Sequence, residues 1–420
     1  MTEPAATIPE LNERLTHARF RSAMPPIHRA STVYLENVDE LAARDWRTAA
    51  VSAYGRDGTP TTQELENALA ELEGARHVHL TPSGLAAFSL ACLAFLKAGA
   101  RIALPSNMYG TGSQSVVTLM ARFGVQTCIY EPTLPSSWAQ TIPDGTTLVW
   151  IEAPGSITME VPDIEALVRH ARSIGALTGI DNTYSAGIHL RPFDLGIDVS
   201  LQALTKLQSG GSDVVMGSLS TADDAIHARL LEAHHFLGLC VSPDDAYLIL
   251  RGLQTLKVRY EHSSRSAQRV ADWFHGRKGV HQVMYPPMAE SPSSDLWRAY
   301  FTAAAGLFSV ALHDSVEAET TKIFVNGLKQ FRIGYSWGGT SSLVMPYSAN
   351  HPSVQRLRRL GAPVSSIVRF WVGLDDVPLL LDDLWQAWDA AFATCMSPST
   401  ASSGADCQSG SAIGTPSTRA

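Results

Sequence analysis

Disulfide chemistry is the first thing missing. Five cysteines, Cys92, Cys128, Cys240, Cys395 and Cys407, stand far apart with no C-x-x-C pair. An odd, dispersed set excludes a disulfide framework and argues against a zinc site. Charge is also sparse: 17% of residues are charged, the net charge is −8, and no block of like charge exceeds a few residues. That leaves no electrostatic footprint for nucleic acid or an anionic membrane. No apolar run reaches about 18 residues, so no membrane-spanning helix is expected. The opening MTEPAATIPELNERL lacks the basic and apolar regions of a secretory leader. A reducing, cytoplasmic setting is therefore expected. Also absent are G-x-G-x-x-G after a strand, a Walker loop, H-E-x-x-H and G-x-S-x-G. His77/His79 and His234/His235 are the close histidine pairs. Neither has a spacing that calls for a metal, so none is expected.

What is present is a long, apolar-rich chain: 420 residues, 45% of them hydrophobic. This length predicts two domains with a large buried core. Residues 1–60 are irregular and rich in Pro, Arg and Tyr, and read as a docking arm. TTQELENALAELEG reads as a helix, with Thr61 and Glu64 as a capping box, Leu65, Leu69 and Leu72 on one face, and Gly74 as its stop. Short apolar strands then alternate with helical segments: HVHLT, RIALPS, VQTCIYE, TLVWIEAP, ALTGIDN, DVSLQAL and VVMGSLS. That pattern predicts an α/β fold with a mostly parallel sheet covered on both faces. The expected cofactor-binding domain is 61–255. The stretch DAYLILRGLQTLKVRYEHSSRSAQRVADWFHG reads as a long amphipathic, mainly helical segment bridging two domains. A smaller α+β domain is expected over 256–396, with strands at GLFSVAL and SIVRFWVGL. Residues 397–420, rich in Ser, Gly, Thr and Ala, read as a disordered tail.

Ligands of open α/β sheets sit at the carboxyl ends of the strands, so the residues there are the candidates. Lys206 stands out because only six lysines occur among 32 basic residues. It follows an apolar strand and precedes Gly-Gly. A desolvated lysine there becomes a nucleophile toward aldehydes; a lysine snorkelling at a strand end is the plainer alternative. Asp181 ends an apolar run and needs a cationic partner such as a pyridinium nitrogen, or else makes an Asx turn. Ser83 and Gly84 open a helix whose free amides suit a phosphate, although Ser is also an ordinary cap. Tyr109 suits stacking on a planar ring or core packing. Arg369, charged within SIVRFWVGL, suits a carboxylate ligand or a structural salt bridge.

The order phosphate cradle, ring, carboxylate, lysine, arginine resembles a pyridoxal-phosphate enzyme of the aspartate-aminotransferase fold (fold type I). The strings YGRDGTPTTQELENALAELEG, APGSITMEVPD, IDNTYSAG, DLGIDVSLQALTK, YSWGG and RFWVGLDD make the chain similar to the Cys/Met-metabolism family, and within it to enzymes of the cystathionine β-lyase type. The likeness runs from about Tyr54 to about residue 395. It implies pyridoxal 5'-phosphate as cofactor, held at Lys206 and paired through Asp181, with Tyr109 on the ring. Ser83, Gly84, Leu85 and Thr205 would take the phosphate. Tyr54 and Arg56 would reach the phosphate of a neighbouring subunit, in a homotetramer with shared sites. Ser156, Ser336, Trp337 and Arg369 would bind the substrate. The activity implied is cleavage of an amino-acid thioether, L-cystathionine or a related cysteine thioether, to a thiol, pyruvate and ammonia in methionine biosynthesis and transsulfuration. A γ-acting relative and a non-catalytic homologue are the alternatives. Leu207, Gly211 and Ser341 stand where an aromatic, a His and a Glu are usual in such enzymes.

Overall fold

The computed structural model describes residues 23–47 and 53–394. The expected tail, 397–420, lies outside the described residues, as do parts of the arm. Within the arm are helix α1 (Val38–Ala43) and an isolated antiparallel bridge between Thr32 and Tyr54. Helix α2 (Pro60–Glu73) begins earlier than the sequence suggested. Its capping box joins Thr59 and Thr62, not Thr61 and Glu64. Pro60 explains the shift, since the first helical position tolerates a residue without an N–H. Thr61 instead ties down the arm: its hydroxyl oxygen accepts from the His28 amide at 2.8 Å. Leu65 and Leu69 are fully buried, and Gly74 ends the helix in the left-handed conformation, φ +74°.

The large sheet has seven strands: β1 (His77–Thr81), β2 (Arg101–Pro105), β3 (Gln126–Tyr130), β4 (Leu148–Glu152), β5 (Leu177–Asp181), β6 (Val199–Gln202) and β7 (Gly217–Thr221). Their order is β1-β7-β6-β5-β4-β2-β3. β7 runs antiparallel to both its neighbours, while β6, β5, β4, β2 and β3 pair in parallel. Helices α3 (Gly84–Phe95), α4 (Gly110–Arg122), α5 (Trp138–Thr141), α6 (Ile164–Ser173) and α7 (Asp224–Leu237) belong to this region. The expected strand VVMGSLS is shorter than its apolar letters imply. Met216 is drawn out of it because its amide and carbonyl both bond to Thr205.

The long bridging stretch is two helices, α8 (Pro243–Leu253) and α9 (Leu256–Phe274). The break has a local cause. The Gly252 carbonyl takes the Thr255 amide in a tight turn, and Arg259 Nη2 at 2.8 Å. The remaining elements are α10 (Ser294–Tyr300), α11 (Ala318–Gly327), α12 (Pro352–Arg359), α13 (Val377–Thr394) and a five-stranded sheet. That sheet comprises β8 (Val280–Met284), β9 (Leu307–His313), β10 (Arg332–Ile333), β11 (Leu343–Tyr347) and β12 (Val364–Trp371), in the order β10-β11-β12-β9-β8. Side chains alternate along β12. Phe370 joins Phe274, Phe308, Phe324 and Phe331 in an aromatic core; its neighbour Arg369 points the other way, toward the large sheet's loops.

Candidate active site

Parallel strands end on one edge, and the loops that follow β1, β2, β4, β5 and β6 meet there. After β1, the Ser83 hydroxyl accepts from the Ala86 amide at 3.0 Å and caps α3. The next amides, Gly84 and Leu85, open the helix and have no carbonyl a turn behind them. The loop sits close to its neighbours. A Cβ on Gly84 would lie 2.8 Å from Ala203 Cβ, and one on Gly217 would lie 2.5 Å from the Ser83 carbonyl oxygen. Thr205 stands on the same loop as Ala203, its hydroxyl engaged with Met216.

Lys206 follows β6. Its amine donates to Ser336 Oγ at 2.6 Å and lies 5.6 Å from the centre of the Trp337 ring. Burial lowers the Lys206 amine to about 8; Arg369 adds to the shift and Asp181 opposes it. Ser336 holds a left-handed backbone, φ +81°, which is costly for a residue with a Cβ. Gly338, at φ +97°, lets this segment lie on the lysine: a Cβ there would be 2.6 Å from the Lys206 carbonyl carbon. Trp337 itself packs beside Trp371 and Tyr184.

Asp181 ends β5. Its Oδ1 accepts the Thr183 amide at 3.0 Å, so the Asx turn exists. Among the described residues, however, it has no ion pair. Burial raises its carboxyl, against the pull of the Thr183 hydrogen bonds and the Lys206 charge. A buried carboxyl awaiting a cation is what a pyridinium nitrogen would complete. Arg369 is likewise buried, 7% exposed, and has no ion pair among the described residues, so it forms no structural salt bridge there. Its Nη1 donates to the Ser156 carbonyl at 3.3 Å, and its guanidinium carbon is 5.6 Å from the Tyr347 ring centre. Tyr109, half-exposed, stands just before α4.

The structure thus brings Ser83, Gly84, Leu85, Tyr109, Ser156, Asp181, Thr205, Lys206, Ser336, Trp337 and Arg369 to one edge. Tyr54 and Arg56 are different. Tyr54 is half-exposed on the arm, and Arg56 turns to Asp57 Oδ1 at 3.1 Å and to His235. Of the three unusual positions, Leu207 is buried while Gly211 and Ser341 are exposed. Among the described residues, no group of three or more His, Cys, Asp or Glu could hold a metal ion, and no helix is long and apolar enough to cross a membrane. Two residues hold places to which the sequence assigned no role, although Glu152 stood among the strand-end residues. Glu152, at the end of β4, accepts the Tyr109 amide at 2.8 Å. Its signal was available, since it ends LVWIE much as Asp181 ends LTGID. Arg356 clamps Glu131 and Glu160; nothing in a polar helix sequence marks it.

Comparison with known proteins settles the family. Residues 10–389 match the model of the Cys/Met metabolism PLP-dependent enzymes. The chain belongs to that family. Pyridoxal phosphate is therefore its cofactor, and an Asp181 without an ion pair among the described residues, a half-buried Lys206 and a helix opening at Ser83 fit that group. The cystathionine beta-lyase of Bordetella avium is 35% identical over 369 residues, which is 87% of this chain and 92% of that protein. The L-alanine/L-glutamate racemase of Wolbachia pipientis wMel is 34% identical over 379 residues, 86% and 91% of the two chains. Among solved structures, a cystathionine gamma synthase from Xanthomonas oryzae pv. oryzae, in complex with aminoacrylate and cysteine, superposes with TM-score 0.81 at 30% identity. The match covers 88% of this chain and 94% of that one. The family's lyase and synthase chemistry on amino-acid substrates, and fold type I, are thereby shown.

Proposed function

We propose that the chain is a carbon–sulfur β-lyase, cleaving L-cystathionine or a related cysteine thioether to a thiol, pyruvate and ammonia. One observation carries the reading: Lys206 Nζ is held at 2.6 Å by Ser336 and flanked by Trp337, with Arg369, which has no ion pair among the described residues, on the same cleft. When bound, pyridoxal phosphate supplies an aldehyde that joins the substrate amine and a protonated ring that takes up the charge left at Cα. The residues divide the remaining work. Ser83, Gly84 and Leu85 hold the phosphate through backbone amides, with Thr205 beside them. Asp181 keeps the ring nitrogen protonated, and Tyr109 covers the ring. Arg369 forks onto the substrate α-carboxylate, with Ser156 next to it. Lys206, as a neutral amine, removes the Cα proton. The Cβ–S electron pair then leaves with the thiol, and one water is consumed overall in releasing pyruvate and ammonia. Tyr54 and Arg56 serve the phosphate of a neighbouring subunit in the assembly.

β-Elimination needs one proton removed, at Cα. γ-Elimination needs a second, at Cβ. With the carboxylate fixed at Arg369, the Trp337 ring beside Lys206 restricts how far the substrate chain swings toward the base. The gamma-synthase likeness supports a γ-acting reading, and the racemase relative shares only the Cα step. Product analysis on L-cystathionine separates them. Pyruvate with homocysteine is expected. Predominant 2-oxobutyrate would favour γ chemistry, and inverted amino acids without a keto acid would favour racemisation.

A further inference from the structure

Strand β4 reads LVWIE, and all five of its residues are buried. Four are apolar. The fifth, Glu152, is 6% exposed and stands in register with Asp181 on β5. Two carboxyls therefore sit side by side at the floor of the cleft. A buried carboxyl at such a place is costly unless a hydrogen bond compensates it. Among the described residues its hydrogen bond comes from the Tyr109 amide, at 2.8 Å. Tyr109 immediately precedes α4, so its amide lies where helix geometry provides no carbonyl partner. The phenol of Tyr109 makes no hydrogen bond among the described residues, and the ring is half-exposed. Its direction is thus set by the backbone at 109, and that backbone is anchored by Glu152.

We propose that Glu152 is a positioning residue, which fixes through the Tyr109 amide where that ring stands against the cofactor. The inference rests on the reading above, in which Tyr109 covers the pyridoxal ring. The groups facing Glu152 are Asp181 on β5, Arg369 on β12, Tyr109 before α4 and Tyr130 on β3. Burial first, and then the Asp181 charge, push its carboxyl well above the usual range, against the Tyr109 hydrogen bond and Arg369. The carboxyl accepts the amide through an oxygen in either protonation state.

The test uses the holoenzyme and reads the visible circular dichroism of the bound cofactor, which reports ring orientation, alongside melting temperature and kinetics. Glu152→Gln keeps an acceptor of the same shape and should keep the band. Glu152→Leu should lose it, with kcat lowered about 10- to 100-fold, the scale of a misplacement of about 1 Å. If the leucine variant does not fold, Glu152→Asp, one methylene shorter, replaces it with the same expectation. In a Tyr109→Ala background the second substitution should change the band no further. An unchanged band in the leucine variant, or an additive change in the double variant, overturns the role of Glu152 alone. A band indifferent to Tyr109→Ala overturns the stacking of Tyr109 as well, so the two failures are told apart.

Discussion

Lys206 has a pH signature that an ordinary surface lysine lacks. Its amine is lowered from 10.5 to about 8, so the neutral, nucleophilic form grows as pH rises through about 8. Cofactor-free protein should capture pyridoxal phosphate faster across that range and level off above it, followed by visible absorbance. A rate still climbing near pH 10 would mean that the amine is unperturbed. Arg369 offers a second test. A charge-assisted hydrogen bond contributes about 1.5–3 kcal/mol, so Arg369→Ala should lower kcat/KM roughly 10- to 150-fold. The loss should appear chiefly in KM, because the bond is made in ground and transition states alike; a pure kcat effect would contradict carboxylate binding. These residues were legible because each breaks its local pattern: a rare lysine, and charges ending or interrupting apolar strands. Asp181 shows why single letters mislead, since it makes the ordinary Asx turn and yet has no ion pair among the described residues. The left-handed Ser336 and the clamp at Arg356 were not legible. Both depend on what the fold brings against them, and neither leaves a trace in its own neighbourhood.

Elements explain where the reading of the chain slipped. The start of α2 was misplaced because Thr61 and Glu64 have the right letters, but Pro60 sets the first turn. β11 escaped because Pro346 argues against a strand, although it pairs with Val368. Most apolar runs were placed on strands, VVMGSLS being read too long, while weak strands defined by their partners were missed. The SWGG segment gives a prediction at this scale. Gly338 and Gly145 both have positive φ, but a Cβ on Gly338 would meet the Lys206 backbone while one on Gly145 would meet nothing within 4 Å. Gly145→Ala should cost about 1–2 kcal/mol from backbone strain alone. Gly338→Ala should cost more, and should also weaken substrate binding by displacing Ser336 and Trp337. Equal melting temperatures for the two variants would contradict the close packing of SWGG on Lys206.

Across the whole molecule, Arg356 ties α12, beside the small sheet, to the loops of the large one. Arg356, on α12, donates to Glu131 and Ser106 at 2.8 Å and to Glu160 at 2.6 Å. Removing one partner of a buried ion cluster costs about 3–5 kcal/mol, so Arg356→Met should lower the melting temperature sharply near neutral pH. Burial raises the Glu131 carboxyl, but its Arg356 bonds outweigh that and hold it below the usual range. A depressed carboxylate stabilises above its unfolded pKa and loses that contribution as pH falls through the lowered folded value. The stability gap between wild type and Arg356→Met should therefore narrow at strongly acid pH; a gap that widened there would contradict the clamp. The arm makes a separate prediction. If Tyr54 and Arg56 act on a neighbouring subunit, inactive Arg56→Ala and Lys206→Ala proteins should recover activity when mixed into hybrid oligomers, and no recovery in confirmed hybrids would place both residues elsewhere. The central claim concerns a single lysine among the six in the chain. Borohydride reduction of the holoenzyme, followed by peptide mapping, tests it most directly. The label should fall on Lys206, and a label on Lys97, Lys257 or any other lysine would contradict the account.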